Sequence, residues 1–156
     1  MHPRAAEFRE RAADEYDLDV EIEEFPEGTK TAAEAADAVG CDVAQIASSL
    51  VFTADGEPLV VVTSGANRVD EEGVAAALDA DAVEMADASL IKETLGWSIG
   101  GVPPICHDTD VPVLFDTTLT EYGTVWAAAG TPQTVFPIDP ERLKHLADAE
   151  EYAVAV

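Results

Sequence analysis

The stretch "SIGGVPPICH", Ser98 to His107, packs two glycines, two prolines and a Cys-His pair into ten residues. Gly100 and Gly101 open backbone conformations closed to other residues and let a ligand approach the main chain, while Pro103 and Pro104 stiffen the chain beyond them. A thiol beside an imidazole suggests nucleophilic chemistry. However, side chains of neighbouring residues on an extended segment point to opposite faces, so Cys106 and His107 read more simply as a buried cysteine next to a surface histidine. Ser48 and Ser49 interrupt the apolar run "IASSLVF". One of them must face inward, where its hydroxyl either bonds to the backbone or lines a pocket.

Two charged residues stand out. Asp116 ends the run "PVLF" ahead of two threonines, the position of a turn or helix cap and also of a carboxylate able to hold substrate or water. Arg68, in "SGANRVDEEG", can reach a phosphate or pair with a neighbouring carboxylate; Lys30, Lys92, Arg142 and Lys144 read as ordinary surface cations. Trp97 and Trp126 belong to the core or to a pocket wall, where either could stack on a base. There is no phosphate loop, G-x-S-x-G elbow or H-E-x-x-H motif. Two distant cysteines give neither a disulfide framework nor a zinc motif, so no metal or cofactor is expected.

The elements that hold these residues are set by periodicity. Ala5, Phe8, Ala12 and Tyr16 form a helical stripe over residues 4–16. "VEIEEF" alternates as a half-exposed strand with Val20 and Ile22 on one face. Thr31 and Glu34 have capping-box spacing for a short alanine-rich helix ending at Gly40. Ile46 to Phe52 and Leu59 to Val62, joined by "ADGEP", read as a β-hairpin whose second strand is buried on both faces. Asp70 and Asp87 cap helices carrying Val74, Ala77 and Leu78, then Leu90, Ile91, Thr94 and Leu95, with a short strand at "AVEMA" between them. "PVLF", "TVWAAA" and "QTVFPI" are further strands, and Asp139 with Pro140 opens a last helix bearing Leu143 and Leu146. Strands and helices do not alternate strictly. The expected fold is therefore α/β, of mixed α+β type: a single domain over residues 1–156, with a twisted mixed β-sheet or partly closed barrel flanked by helices.

Composition adds habitat rather than ligand. The chain of 156 residues is 47% hydrophobic and carries 32 Asp and Glu against 8 Lys and Arg, a formal charge of -24. The carboxylates are spread along the chain between apolar runs, which disfavours a disordered acidic tail. At about 1 M salt the Debye length is roughly 3 Å, so such a surface suits the cytoplasm of a salt-accumulating organism. The charged N-terminus does not read as a signal peptide, and no apolar run approaches the ~18 residues of a membrane span. Neither a membrane nor DNA is expected as a partner.

In order, "TAAEAADAVGCDVAQIASSLVF", "LVVVTSGANRVDEEGVAAAL", "LGWSIGGVPPI", "VPVLFD", "VWAAAG" and "PIDPERL" resemble the YbaK family of prolyl-tRNA synthetase-associated editing domains, over about residues 20–147. The resemblance implies an α/β domain that hydrolyses the ester between a wrong amino acid and the 3′ end of a tRNA, acting in trans on tRNA carrying cysteine, alanine or another small residue. Aminoacyl-tRNA and prolyl-tRNA synthetase are the partners it implies. The family's Gly-x-x-Pro loop matches Gly101, Val102, Pro103 and Pro104. Two positions depart from the family: Ser48 stands where many members carry a lysine, and Thr131 follows Gly130 where a second glycine is common.

Ester hydrolysis of this kind needs a positioned water, N–H groups facing the developing oxyanion, and steric selection. On this reading Gly101, Asp116 and Ser48 are the expected catalytic positions, and Ser49, Arg68, Gly100, Val102, Pro103, Pro104 and Gly130 bind substrate. A bulky side chain at Gly101 is expected to fill the pocket without harming the fold. The alternatives are a binding module of the same fold that holds aminoacyl-tRNA or a synthetase without hydrolysis, and a thiol-dependent hydrolase using Cys106 with His107.

Overall fold

In the computed structural model, which describes residues 2–25 and 31–154, helix α1 (Pro3–Tyr16) lays Ala5, Phe8 and Ala12 into the core as its spacing requires. Asp17 ends it in the left-handed region, where its N–H and that of Leu18 return to Ala13 and Ala12. The next stretch is not the strand its alternation suggests. Leu18 and Val20 are buried, but only Glu23–Glu24 (β1) pair with a neighbour, so side-chain packing rather than a ladder holds residues 18–22. Lys30 lies outside the described residues.

Local signals at the helix starts hold. Thr31 accepts the Glu34 N–H at 3.1 Å to cap α2 (Ala32–Val39), and Asp70, Asp87 and Asp139 cap α3 (Glu71–Leu78), α4 (Ala88–Leu95) and α5 (Pro140–Leu146). On α3 the inward residues are Val74 and Ala75; Ala77 is exposed.

The sheet has eight strands. β2 (Ile46–Ala54) and β3 (Glu57–Ser64) form the expected hairpin, β4 (Val83–Met85) pairs with the end of β2, and β5 (Val113–Asp116), β6 (Val125–Ala128), β7 (Thr134–Ile138) and β8 (Glu150–Tyr152) complete it. The order is β1-β7-β6-β2-β3-β5-β8, with β2–β6, β3–β5 and β5–β8 parallel and the other pairs antiparallel. This path is open at β1 and β8, so the mixed sheet forms and no barrel closes. Leu59 to Val62 on β3 are fully enclosed: Val60 and Val62 pack with Phe8, Trp97 and Phe115 on one face, and Leu59 and Val61 with Phe52 and Val74 on the other. A sheet covered on both faces explains an unbroken apolar strand. β8 carries "EEY" in a three-residue edge strand, too short and too acidic to stand out in the sequence.

Among the described residues, no helix is long and apolar enough to cross a membrane.

Candidate functional site

β2 is nine residues long, and on the side away from β3 its neighbours cover only its two ends. β6 pairs with Ile46 and Ala47, and β4 with Phe52 to Ala54. Ser48 to Val51 between them have no strand on that side. A pocket of about 290 Å³ opens at this gap, and β2 lines it with residues from both of its faces. Ala47, Ser49 and Val51 face the glycine loop, where Ala86, Ile91, Ile99, Gly100 and Val102 form the wall; Ile46 and Ser48 face α2, where Ala32, Ala35 and Trp126 do. Thr131 and Pro132 line the pocket beside Gly100, with Pro132 3.5 Å from where a Gly100 Cβ would lie.

Among the described residues the lining is apolar with a few hydroxyls, and no charged side chain reaches it. Among the described residues Met85 and Ile99, 59% and 53% exposed, are the large apolar side chains left open to solvent, and both belong to this pocket. Exposed apolar groups gathered at one cavity mouth mark a place where a ligand is met. The Ser49 hydroxyl is buried without any hydrogen-bond partner.

The residues expected from the sequence divide into wall and buttress. Ser48, Ser49, Gly100 and Val102 line the pocket. Gly101, Pro103 and Pro104 do not; they are buried behind it. Gly101 is bare for a different reason from the one expected. A Cβ there would sit 2.6 Å from the Thr131 Cα and carbonyl carbon and 2.9 Å from its nitrogen, so the glycine admits the chain of Thr131, not a ligand. A bulky residue at Gly101 therefore attacks the fold instead of filling the pocket. Gly130 is likewise absent from the lining: its φ is 99°, and a Cβ would come within 2.8 Å of the Trp97 ring.

The loop is braced from behind. Trp97 is 0% exposed and donates through Nε1 to the Cys106 carbonyl at 2.9 Å. Phe8 packs edge-on against it, the Arg4 guanidinium lies 4.1 Å from its ring centroid, and Arg4 also donates to the Gly96 carbonyl. Arg11 pairs with Asp108 at 3.0 Å. Trp97 is thus core and Trp126 pocket wall.

His107 is half-buried rather than fully at the surface. Its Nε2 lies 2.7 Å from the Pro103 carbonyl, the geometry of an N–H donor closing the loop on itself, and burial lowers its pKa below the usual 6.5. Burial, aided by the nearby Glu15 charge, pushes the Cys106 thiol up to about 12. A protonated thiol outside the pocket is not a nucleophile, which removes the structural basis for a Cys-His hydrolase.

Asp116 also stands away from the pocket. It is 1% exposed, and its Oδ2 accepts from Thr63 Oγ1, the Ser64 N–H and Asn67 Nδ2 at 3.2, 2.9 and 2.9 Å, while Oδ1 accepts the Thr118 N–H at 3.0 Å. The carboxylate is the cap that the sequence allowed and, in addition, pins the loop after β3. That loop carries Arg68, which makes no ion pair or hydrogen bond with the described residues. Arg68 lies not in the first pocket but in a neighbouring open groove of about 520 Å³, whose wall shares Leu50 and Met85 with it.

What sequence reasoning missed was the rest of the wall: Thr131, Pro132 and the α2 alanines, beside the Trp126 that it offers as core or pocket wall. Only the order of the matched stretches carries any sign of them.

The aminoacyl-tRNA editing domain model matches residues 26–146. The solved structure of a protein proposed as a trans-editing enzyme for prolyl tRNA synthetase superposes with a TM-score of 0.94 at 33% identity, covering 100% of this chain and 99% of that one. Hypothetical protein APE2540 shares the fold, with a TM-score of 0.84 at 23% identity over 96% of this chain and 99% of its own. YwhH of Bacillus subtilis (strain 168), uncharacterized, is 27% identical over 124 residues, 79% of this chain and 78% of YwhH. A proline–tRNA ligase of Lysinibacillus sphaericus (strain C3-41) is 37% identical over 73 residues, 47% of this chain; the matched part is 13% of that ligase.

Proposed function

The chain belongs to the aminoacyl-tRNA editing domain family, and on that premise we propose that it is a deacylase acting in trans on tRNA mischarged with a small, uncharged amino acid, cysteinyl- and alanyl-tRNA for proline being the first candidates. The observation that carries this reading is the pocket at the gap in β2, small, lined mainly by apolar groups and, among the described residues, free of charged side chains. Such a lining offers no partner to an acidic or basic side chain and selects by volume, where one methylene is worth only about 1–3 kcal/mol.

Water adds to the ester carbonyl, the bond from that carbon to the ribose oxygen breaks, and the proton leaves with the ribose hydroxyl. The protein's share is to orient the ester and the water and to face the developing oxyanion with N–H groups. Ser48 and Ser49 hydroxyls and the main chain of Gly100 and Val102 are the groups we assign to this work. Asp116 acts through position, holding the Asn67 and Arg68 loop. Arg68, unpaired in the adjoining groove, is assigned to the phosphate next to the terminal nucleoside.

Ser48, where the resemblance places a lysine, favours one other reading: a module that binds aminoacyl-tRNA without cleaving it. Deacylation of a panel of mischarged tRNAs at molar KCl separates the two. Release of one small amino acid above the uncatalysed rate is expected, and no release from any member by folded protein would overturn the deacylase.

A further inference from the structure

We propose that the open edge of β2 at Ser49 is the contact that reads the α-amino ester, by adding the aminoacyl group to the sheet as though it were one residue of a strand. The proposal rests on the deacylase reading for the identity of the ligand, and on four observations for the site.

First, the edge is vacant between two occupied stretches. β6 ends its pairing at Ala47 and β4 begins at Phe52. Second, register decides which main-chain groups face the vacancy. The two-residue turn Asp55-Gly56 is closed by Ala54 and Glu57, and the Gly65 N–H donates to the Ile46 carbonyl, so the even-numbered residues of β2 turn their polar groups to β3. The odd-numbered ones, Ala47, Ser49 and Val51, turn theirs the other way. The Val51 carbonyl shows it directly, accepting the Ala86 N–H at 3.0 Å. Among the described residues, no main-chain bond of loops, turns or caps reaches Ser49, and no pairing extends to it on that side.

Third, the Ser49 hydroxyl is buried and unpartnered on the same residue. One residue of the pocket lining therefore carries an N–H, a carbonyl and a hydroxyl that have no partner on that side among the described residues. Buried polar groups are almost always satisfied, and orphans concentrated at one residue of a pocket wall call for a ligand that satisfies them. Fourth, among the described residues no charged side chain lines the pocket.

The pattern fits an α-amino ester. Its ammonium donates to the Ser49 carbonyl, and its ester oxygen accepts from the Ser49 N–H and hydroxyl, the main-chain recognition used when a segment extends a sheet edge. Reading an ammonium by a carbonyl dipole rather than a carboxylate also works at high salt, because a short contact in a water-poor pocket is little affected by screening.

The test uses the intact protein at molar KCl with two probes that cannot be hydrolysed: adenosine carrying alanine through a 3′-amide, and the same compound with its α-amine acetylated. Amide hydrogen exchange read by NMR should show the Ser49 N–H slowed about 10-fold or more by the free amine, with the acetylated probe binding about 10-fold or more weakly. Ser49→Ala, which keeps the main chain and removes only the hydroxyl, should weaken the free-amine probe by about 3- to 10-fold.

Binding that shifts the Trp126 and Val102 signals but leaves the Ser49 amide exchanging as before would overturn the edge contact, as would equal affinity for the two probes. Protection of Ser49 without deacylation of any charged tRNA would keep the edge contact and overturn the deacylase. Absence of both binding and deacylation would overturn both.

Discussion

Replacing Gly101 with alanine tests whether the glycine loop is bare for a ligand or for the chain behind it. The added Cβ would lie 2.6 Å from two main-chain carbons of Thr131 and 2.9 Å from its nitrogen, against about 3.5–4.0 Å for relaxed carbon contacts. Thr131 has little room to retreat. Its hydroxyl lies 2.8 Å from that of Thr134 and accepts the Gln133 N–H at 3.2 Å, and its carbonyl takes the Thr134 N–H at 3.3 Å. On the other side, the Gly101 N–H is held by the Ser98 carbonyl at 3.0 Å. One excess methyl between two pinned segments should cost about 1–3 kcal/mol, the range for overpacking.

For a chain of this size, each kcal/mol moves Tm by about 2–4 °C, so a fall of roughly 2–12 °C is expected in thermal unfolding at molar KCl. Gly123→Ala is the control, since nothing lies within 4 Å of a Cβ there; it should stay within about 0.5 kcal/mol of wild type. Because Thr131 and Gly100 both line the pocket, the destabilisation at Gly101 should come with loss of ligand affinity. A Gly101→Ala protein as stable as the Gly123→Ala control would refute the close-approach argument and return the glycine to the ligand.

Asp116→Ala leaves the buried Ser64 N–H without its partner and frees the Asn67 loop, and should cost about 3 kcal/mol in chemical denaturation; a cost below about 1 kcal/mol would mean the carboxylate is not the pin of that loop. Cys106→Ala should leave deacylation rates unchanged, and a large loss of rate in a folded variant would revive the thiol mechanism. His107 has a folded pKa below its usual 6.5, so the unfolded chain takes up its proton first as pH falls, and the stability this residue contributes is present above about 6.5 and lost below it. Wild type should therefore lose more stability than His107→Gln on going from pH 7 to 5, and parallel pH profiles would remove the histidine from the loop's account.

Legibility in the sequence followed the range of the interaction. Thr31, Asp70, Asp87 and Asp139 cap helices through N–H groups two or three residues away, and the spacing alone announced them. The Leu59 to Val62 run announced a strand enclosed on both faces, and "ADGEP" announced the hairpin. The candidate site depends on longer reach. Gly101 signals that something must come close but not that it is Thr131, thirty positions on. Asp116 signals a cap, while its other partners at Thr63, Ser64 and Asn67 lie some fifty positions earlier. This is why Gly101, Pro103, Pro104 and Gly130 were legible as special yet misread as wall.

The gap itself is a mismatch of lengths, and no residue encodes it alone. β2 runs for nine residues because its partner β3 runs for eight, whereas on its other side β6 and β4 supply four and three. β4 is cut short where Ala86 leads into the Asp87 cap of α4, and β6 where Gly130 bends the chain past Trp97. Two stops chosen by unrelated local demands thus leave one strand uncovered over four residues, and Ser48 and Ser49 fall inside it. Polar residues in an apolar strand are costly where the ladder is complete and useful where it is not. The serines that looked like interruptions of β2 therefore fall where the strand keeps β3 on one side and has no strand on the other, and the proposed site directs their chemistry at what enters there.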